Sequence, residues 1–242
     1  MKAGMIREKL KRNEIRFSED LPEKLVSYLD LLLDWNSRMD LTAVTDEDEM
    51  ADRHFIDSLT VLRTGLIPEK ASLIDVGTGA GFPGMVLAMA RPDLSVTLMD
   101  AQQKRLNFLE AVCERTGTCN VQIVHSRAED GAKDRKYREK FDIAAARAVA
   151  PLNVLAEYLL PYVRIGGCAL CWKGPSLQSE LDAGSRAVRM LGGRLEMPVF
   201  CSIYGREWEH RILPIRKTEK TASAYPRKAG IPKAKPLGEG NG

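Results

Sequence analysis

Apolar residues along the chain change rhythm once, near residue 70. Before that point the spacing is helical. Leu25, Leu29, Leu32, Leu33 and Trp35 recur at helical intervals with Lys24, Asp30 and Asp34 between them, which predicts an amphipathic helix over Pro22–Met39. Phe55, Ile56, Leu59 and Leu62 mark the buried side of a second helix over Asp52–Thr64, ended by Gly65. From Ser72 onwards short apolar runs take over. Ser72–Val76, Ser95–Met99, Val121–Val124, Phe141–Ala146 and Cys168–Trp172 read as buried strands, and Gly84–Ala90, Lys104–Arg115, Ala128–Arg138 and Leu152–Val163 as the helices between them. Such alternation implies a parallel sheet with right-handed crossovers, an α/β, doubly wound, Rossmann-like fold. A helix over Leu177–Leu191 and strands near Glu196–Ile203 and Glu209–Ile215 would complete the sheet. Residues 1–66 are expected to form a helical extension packed on the core, and 67–216 the sheet domain. Residues 217–242, rich in Pro, Gly, Lys and Arg, are expected to form an extended, partly mobile tail.

Composition narrows the classes without choosing among them. The 242 residues suit one α/β domain with an extension. No apolar run reaches the roughly 18 residues of a membrane span, and the basic start has no apolar stretch behind it, so the expected home is the cytosol. An odd count of five scattered cysteines argues for reduced thiols. Cys168-Ala-Leu-Cys171 has no second pair to complete a zinc site and sits in a strand-like run, so both thiols read as structural and no metal is expected. The net charge is only +3, yet Arg216–Lys235 holds seven basic residues against Glu219. That footprint suits a polyphosphate partner, with a solvated tail as the plainer alternative.

The strongest local signal is Asp75-Val-Gly77-Thr-Gly79-Ala-Gly81-Phe-Pro-Gly84, directly after the first strand. In open α/β sheets the ligand sits at the carboxyl ends of the strands, and glycines there let the backbone approach it. Gly79 to Gly84 spells the dinucleotide fingerprint G-x-G-x-x-G, a weak pattern by itself. Two features favour S-adenosylmethionine. Asp75 precedes the glycines, where a carboxylate would meet the cationic amino-acid end of that molecule and repel a pyrophosphate. The glycine frame also starts earlier, at Gly77. Asp100, ending the second strand, can accept from both ribose hydroxyls, which serves either cofactor; a turn acid capping the next helix is the alternative. Ser126-Arg127-Ala128-Glu129 follows the third strand, where backbone groups and a carboxylate frame an adenine edge or cap a helix; both can hold together.

Several runs in one order resemble the RsmG (GidB) family of bacterial guanine-N7 methyltransferases of small-subunit ribosomal RNA. They are Asp40–Val44, Arg53-His-Phe-Ile-Asp-Ser-Leu59, Asp75–Gly84, Asp100 with Lys104–Leu109, Ser126–Glu129, Phe141-Asp142 through Arg147-Ala148, Lys173-Gly174 and Tyr225-Pro-Arg-Lys-Ala-Gly230. Arg53–Leu59 and Tyr225–Gly230 are far more specific than a glycine loop. The resemblance implies a class I methyltransferase fold and cofactor contacts at Gly77, Phe82, Ala128, Glu129 and Arg147. To these the glycine loop adds Gly79 and Gly81, and the second strand Asp100. It also implies 16S ribosomal RNA or the small ribosomal subunit, including an assembly intermediate, as partner. The protein is expected to act as a monomer.

Methyl transfer from a sulfonium is an in-line displacement that needs alignment and exclusion of water. An exocyclic amine must also lose a proton, and a pyrimidine carbon needs a covalent nucleophile, usually a thiolate. The chain carries neither an Asn-Pro-Pro-Tyr type motif nor a Pro-Cys loop. Guanine N7 offers a lone pair and no proton, so no general base is expected and no residue is singled out as one. His54 reads either as a cofactor or RNA contact or as a helix-surface histidine; His125 reads as structural, and His210 is assigned nothing. Arg227 and Lys228 are the expected phosphate contacts, with Lys173 touching RNA near the pocket or serving as a strand-end surface lysine. Three rivals remain: a nicotinamide-dependent oxidoreductase, an RNA-binding assembly protein that retains the pocket, and a small-molecule methyltransferase, against which the basic tail speaks.

Overall fold

The computed structural model describes residues 2–147, 150–208 and 210–239. Ala148 of the Phe141–Ala148 run, Glu209 at the head of the last expected strand and residues 240–242 of the expected tail lie outside them. Helices α1 (Lys2–Arg12) and α2 (Leu21–Asn36) come first. A continuous helical run follows: α3 (Glu47–Met50), a π-helical turn (Ala51–Ile56), α4 (Asp57–Leu59) and a 3-10 turn (Thr60–Arg63). The alternating part is β1 (Ser72–Val76), α5 (Gly84–Ala90), β2 (Ser95–Asp100), α6 (Gln103–Thr116), β3 (Val121–His125), α7 (Ala128–Gly131), β4 (Phe141–Arg147), α8 (Leu152–Leu159) and β5 (Val163–Lys173). Helix α9 (Leu177–Met190), strands β6 (Gly193–Leu195), β7 (Val199–Phe200) and β8 (Arg211–Lys217), and a short α10 (Ile231–Ala234) complete the chain.

The sheet runs β3-β2-β1-β4-β5-β8-β6, with β7 also beside β8. Strands β1 to β5 pair in parallel and β8 inserts antiparallel against β5. Strand order reverses between β1 and β4, which opens a crevice at their carboxyl ends, the usual seat of a ligand. The α/β doubly wound expectation holds. One face of the sheet is covered by α1, α2, α5 and α6, whose Leu10, Leu25, Tyr28, Leu29, Met85 and Leu109 share one buried cluster; α8 and α9 cover the other with Leu155, Leu159 and Val188. Helix α2 buries Leu25, Leu29 and Leu32 as the spacing predicts, while Leu33 and Trp35 are only partly covered.

Three elements differ from the periodicity. The helix expected over Ala128–Arg138 stops at Gly131, where a Cβ would lie 2.7 Å from both the Met99 side chain and the Tyr162 hydroxyl. Close packing demands glycine there, and glycine weakens a helix. The helix expected to Val163 ends at Leu159, just before Pro161, and β5 takes Val163 onwards. Of the strand expected over Glu196–Ile203 only Val199–Phe200 forms, as β7, and β6 lies just before that range. No helix among the described residues is long and apolar enough to cross a membrane.

Residues after β8 are not a solvated tail. Lys217 is buried, donating to Leu160 O at 2.7 Å and to Thr221 Oγ1, and burial pushes its pKa down to about 8. Arg138 donates to the carbonyls of Thr221, Ala222 and Tyr225. Asn153 Nδ2 donates to Leu237 O, and Arg186 Nε to Gly238 O. The segment is a strap tied along the α8 side of the molecule. Side chains of the sheet domain, distant in sequence, satisfy its backbone carbonyls.

Candidate functional site

The loop after β1 is built by carboxylates that turn toward it. Asp75 is fully buried, and its Oδ2 accepts from Thr78 Oγ1 at 2.7 Å and from Gly84 N–H at 2.8 Å. Its Oδ1 is buried without a hydrogen-bond partner among the described residues, and burial raises the pKa to about 6. Asp75 therefore staples the loop from below and does not line the cavity above it, which corrects the expectation that it meets a ligand's amino group. Gly77, Gly79 and Gly81 all have positive φ. A Cβ at Gly79 would meet open space, with only Gly77 O at 4.0 Å, so this face of the loop borders the cavity. At Gly81 a Cβ would lie 2.4 Å from the Tyr28 hydroxyl, so this glycine serves packing against α2 and is absent from the cavity wall, a second correction. Tyr28 donates to Ala80 O and ties the loop to that helix.

Asp100 at the end of β2 accepts from Gly79 N–H at 2.9 Å through Oδ2 and from Gln102 N–H at 2.8 Å through Oδ1, with Arg105 Nη1 3.6 Å away. Across the crevice, Ala128 and Glu129 open α7. Gly77, Gly79, Phe82, Asp100, Ala128, Glu129 and Arg147 line one cavity of about 700 Å³, together with Tyr158, Gly230 and Lys233. Seven of the eight expected cofactor residues thus meet in one place.

Arg147, ending β4, is the hub of the crevice. Its Nη1 donates to Arg53 O at 2.6 Å and to Asp57 Oδ2 at 3.0 Å; Nη2 lies 3.2 Å from His54 Nδ1; and its guanidinium sits 5.0 Å from the centre of the Phe82 ring. The π-helical turn explains the first contact. Asp57 N–H reaches back to Asp52 O, five residues away, so the Arg53 carbonyl is released from its helical bond and takes the guanidinium instead. His54 stacks on Phe82 (centroids 4.5 Å apart, planes 11° apart). Burial, with the Arg147 charge behind it, lowers the His54 pKa to about 3, so the ring is neutral. Arg147 has only hydrogens to offer, so Nδ1 accepts and Nε2–H donates to Thr42 Oγ1 at 2.8 Å. Asp57, 1% exposed, also meets His210 Nδ1 at 2.7 Å. His54 and Arg147 border a second cavity of about 680 Å³, walled by Thr42, Val44, Asp57, Trp172, Lys173 and His210.

The expected phosphate contacts fare differently. Lys173 lines the second cavity but is held by Glu180 at 2.5 Å and donates to Ala150 O. Arg227 closes on the buried Glu157 at 2.6 Å. Both charges are thus paired within the fold, with partners on α9 for Lys173 and on α8 for Arg227. Lys228 is exposed. Cys168 and Cys171 fall in the clusters on opposite faces of the sheet, and burial pushes their thiols up to about 11 and about 12, so they cannot chelate one ion together. His125 is bonded to Ala101 O at 3.0 Å. Sequence reasoning missed Asp57, Glu157, Gly230 and Lys233. Asp57 stands in the Arg53–Leu59 run and Gly230 ends the Tyr225–Gly230 run, visible signals for both; Glu157 and Lys233 have none short of the fold.

Comparison with known proteins adds the following. Residues 21–208 match the profile of the GidB family, described as rRNA small subunit methyltransferase G. A Clostridium beijerinckii protein named ribosomal RNA small subunit methyltransferase G is 44% identical over 223 residues, 92% of this chain and 93% of that one. A protein of the same name from Alkaliphilus oremlandii is 44% identical over 88% of this chain and 90% of its own length. Among solved structures, MtNAS in complex with MTA and tNA superposes with a TM-score of 0.55 at 14% identity, covering 79% of this chain and 71% of that one, a likeness of fold alone.

Proposed function

The chain belongs to the rRNA small subunit methyltransferase G family, and from that premise we propose that it transfers the methyl group of S-adenosylmethionine to N7 of a guanine in 16S ribosomal RNA. The observation that carries the reading is the meeting of two cavities at one edge, formed by His54 and Arg147. In-line displacement requires donor and acceptor to approach from opposite sides with water excluded. The glycine-loop cavity suits the donor. Gly79 leaves room for a close approach, Asp100 stands where ribose hydroxyls would fall, and Glu129 offers a carboxylate at the adenine end. Bound there, S-adenosylmethionine supplies an electrophilic methyl group. The second cavity, with the flat face of Trp172 and the polar groups of Thr42 and His210, suits an extruded purine.

The residues at the shared edge act by position. His54 is neutral and its Nδ1 lone pair is engaged by Arg147, so neither residue of the shared edge serves as a general base. A ring nitrogen with a free lone pair needs none. Methylation at N7 leaves the guanine cationic, and the edge adds no net charge against it, because Asp57 balances Arg147. Phe82, 7% exposed, and the His54 ring stacked on it keep water from the junction.

The decisive experiment incubates the protein and labelled S-adenosylmethionine with small subunits, and separately with naked 16S RNA, from a strain lacking it. One methyl per subunit, mapped as a borohydride-sensitive N7-methylguanine, is expected. Label on another base atom, or none in either substrate, would overturn the proposal.

A further inference from the structure

Two buried carboxylates find their partners in the strap after β8. Glu157 on α8 is fully buried, and Arg227 meets it four ways: its main-chain N–H to Oε1 at 2.8 Å, Nε to Oε1 and Oε2 at 3.0 and 3.1 Å, and Nη2 to Oε2 at 2.6 Å. A charge-assisted fork of this kind is strong and directional. Three residues on, Gly230 N–H donates to Glu129 Oε1 at 2.9 Å. Glu129 is 5% exposed, and its Oε2 has no hydrogen-bond partner among the described residues. Glu129, Gly230 and Lys233 all border the donor cavity.

We propose that the strap is part of the donor site: the Glu157–Arg227 pair positions Gly230 so that its N–H holds Glu129 Oε1, which leaves Oε2 for the exocyclic amine of an adenine, while Lys233 closes the wall. The inference rests on the donor reading given above. A carboxylate only accepts and an ammonium only donates. Glu129 therefore takes an amine and opposes a ring carbonyl at the same position, and Lys233 suits the acceptor nitrogens of the ring. Released from Gly230, the Glu129 carboxylate would turn and hydrate, and the preference for an amine would fade. Glu157 and Arg227 act through Gly230 and are positioning residues.

The test is calorimetry of the full chain with S-adenosylhomocysteine and with S-inosylhomocysteine, which carries a carbonyl where adenine has its amine. The unmodified protein should favour the adenosyl ligand by about tenfold or more, since a mismatched buried polar group is left unpaired. Arg227→Gln should narrow that ratio to about twofold, because a neutral amide replaces the charge-assisted fork. Arg227→Lys, which keeps a charge on Glu157, should restore most of it. A merely structural role would lower both affinities together and leave the ratio untouched, which overturns the proposal. Should Arg227→Gln lose its cooperative melt, Lys233→Ala reads the same wall from an exposed position. It should weaken the adenosyl ligand about fivefold, the loss of one hydrogen bond; an unchanged affinity overturns the proposal. Failure of the unmodified chain to bind S-adenosylhomocysteine overturns the donor reading itself, and the strap's role with it.

Discussion

Asp75 and His54 are both buried at the crevice, and they respond to pH in opposite senses. Burial raises the Asp75 pKa to about 6, so between roughly pH 4 and 6 the native state keeps a proton that the unfolded chain has released. Its contribution is complete at low pH and lost as pH rises through 6. His54 is the reverse. With a folded pKa of about 3, it stays neutral while the unfolded chain takes up a proton below about 6.5, so stability is lost as pH falls. Denaturant midpoints should show Asp75→Asn gaining on the unmodified protein from pH 4 to 7, by up to about 3 kcal/mol for a shift of roughly two units. His54→Gln should gain in the other direction, from pH 7 down to 4. Parallel lines for either pair would remove that group from the account. Arg147 is a different case, a charge matched to a carboxylate that is nearly inaccessible. Arg147→Ala should destabilise by about 3–5 kcal/mol by stranding Asp57, and should lower methyl transfer. Arg147→Lys should recover only part, because a single ammonium nitrogen lacks the two separated guanidinium nitrogens that reach Asp57 and Arg53 O on one side and His54 on the other. Urea titrations and single-turnover rates on the same samples check both.

At the scale of elements, the π-helical turn and the strap do what periodicity could not foretell. The turn rotates His54 and Asp57 onto the end of β4 and frees one carbonyl for Arg147. The strap covers α8 and supplies a cavity wall. Removing residues 222–242 should therefore harm the fold, since Glu157 is left buried without its cation. A loss of about 3–5 kcal/mol in chemical denaturation is expected, where a solvated tail would cost nothing measurable. Lys228 and Lys235 are exposed, so the proposed phosphate contact is tested on them. Lys228→Glu with Lys235→Glu should make the salt dependence of RNA binding shallower by about 0.7–0.9 in slope for each phosphate no longer neutralised. An unchanged slope across a salt series would place the RNA elsewhere.

For the whole molecule, the consequence of the fold is two cavities that share one edge, at the point where strand order reverses. Thermal-shift measurements should show stabilisation by S-adenosylmethionine and none by nicotinamide dinucleotides; the reverse would restore the oxidoreductase reading of Gly79–Gly84. Much of this was legible in the chain. The change of apolar rhythm at residue 70 foretold the doubly wound sheet, because buried strands and helices impose different periods. The loop glycines and Asp100 followed from their places at strand ends, and the family from the order of its motifs. Sequence could not say which way a side chain faces once several elements converge. Asp75 and Gly81 look like ligand contacts in the motif, yet one turns under the loop and the other packs on Tyr28. Arg227 and Lys173 look like phosphate binders until α8 and α9 bring Glu157 and Glu180 against them. A charge is free or spent according to partners that lie seventy residues away for Arg227 and seven for Lys173. Only folding brings those partners within reach, so tertiary structure decided which cations are paired within the protein.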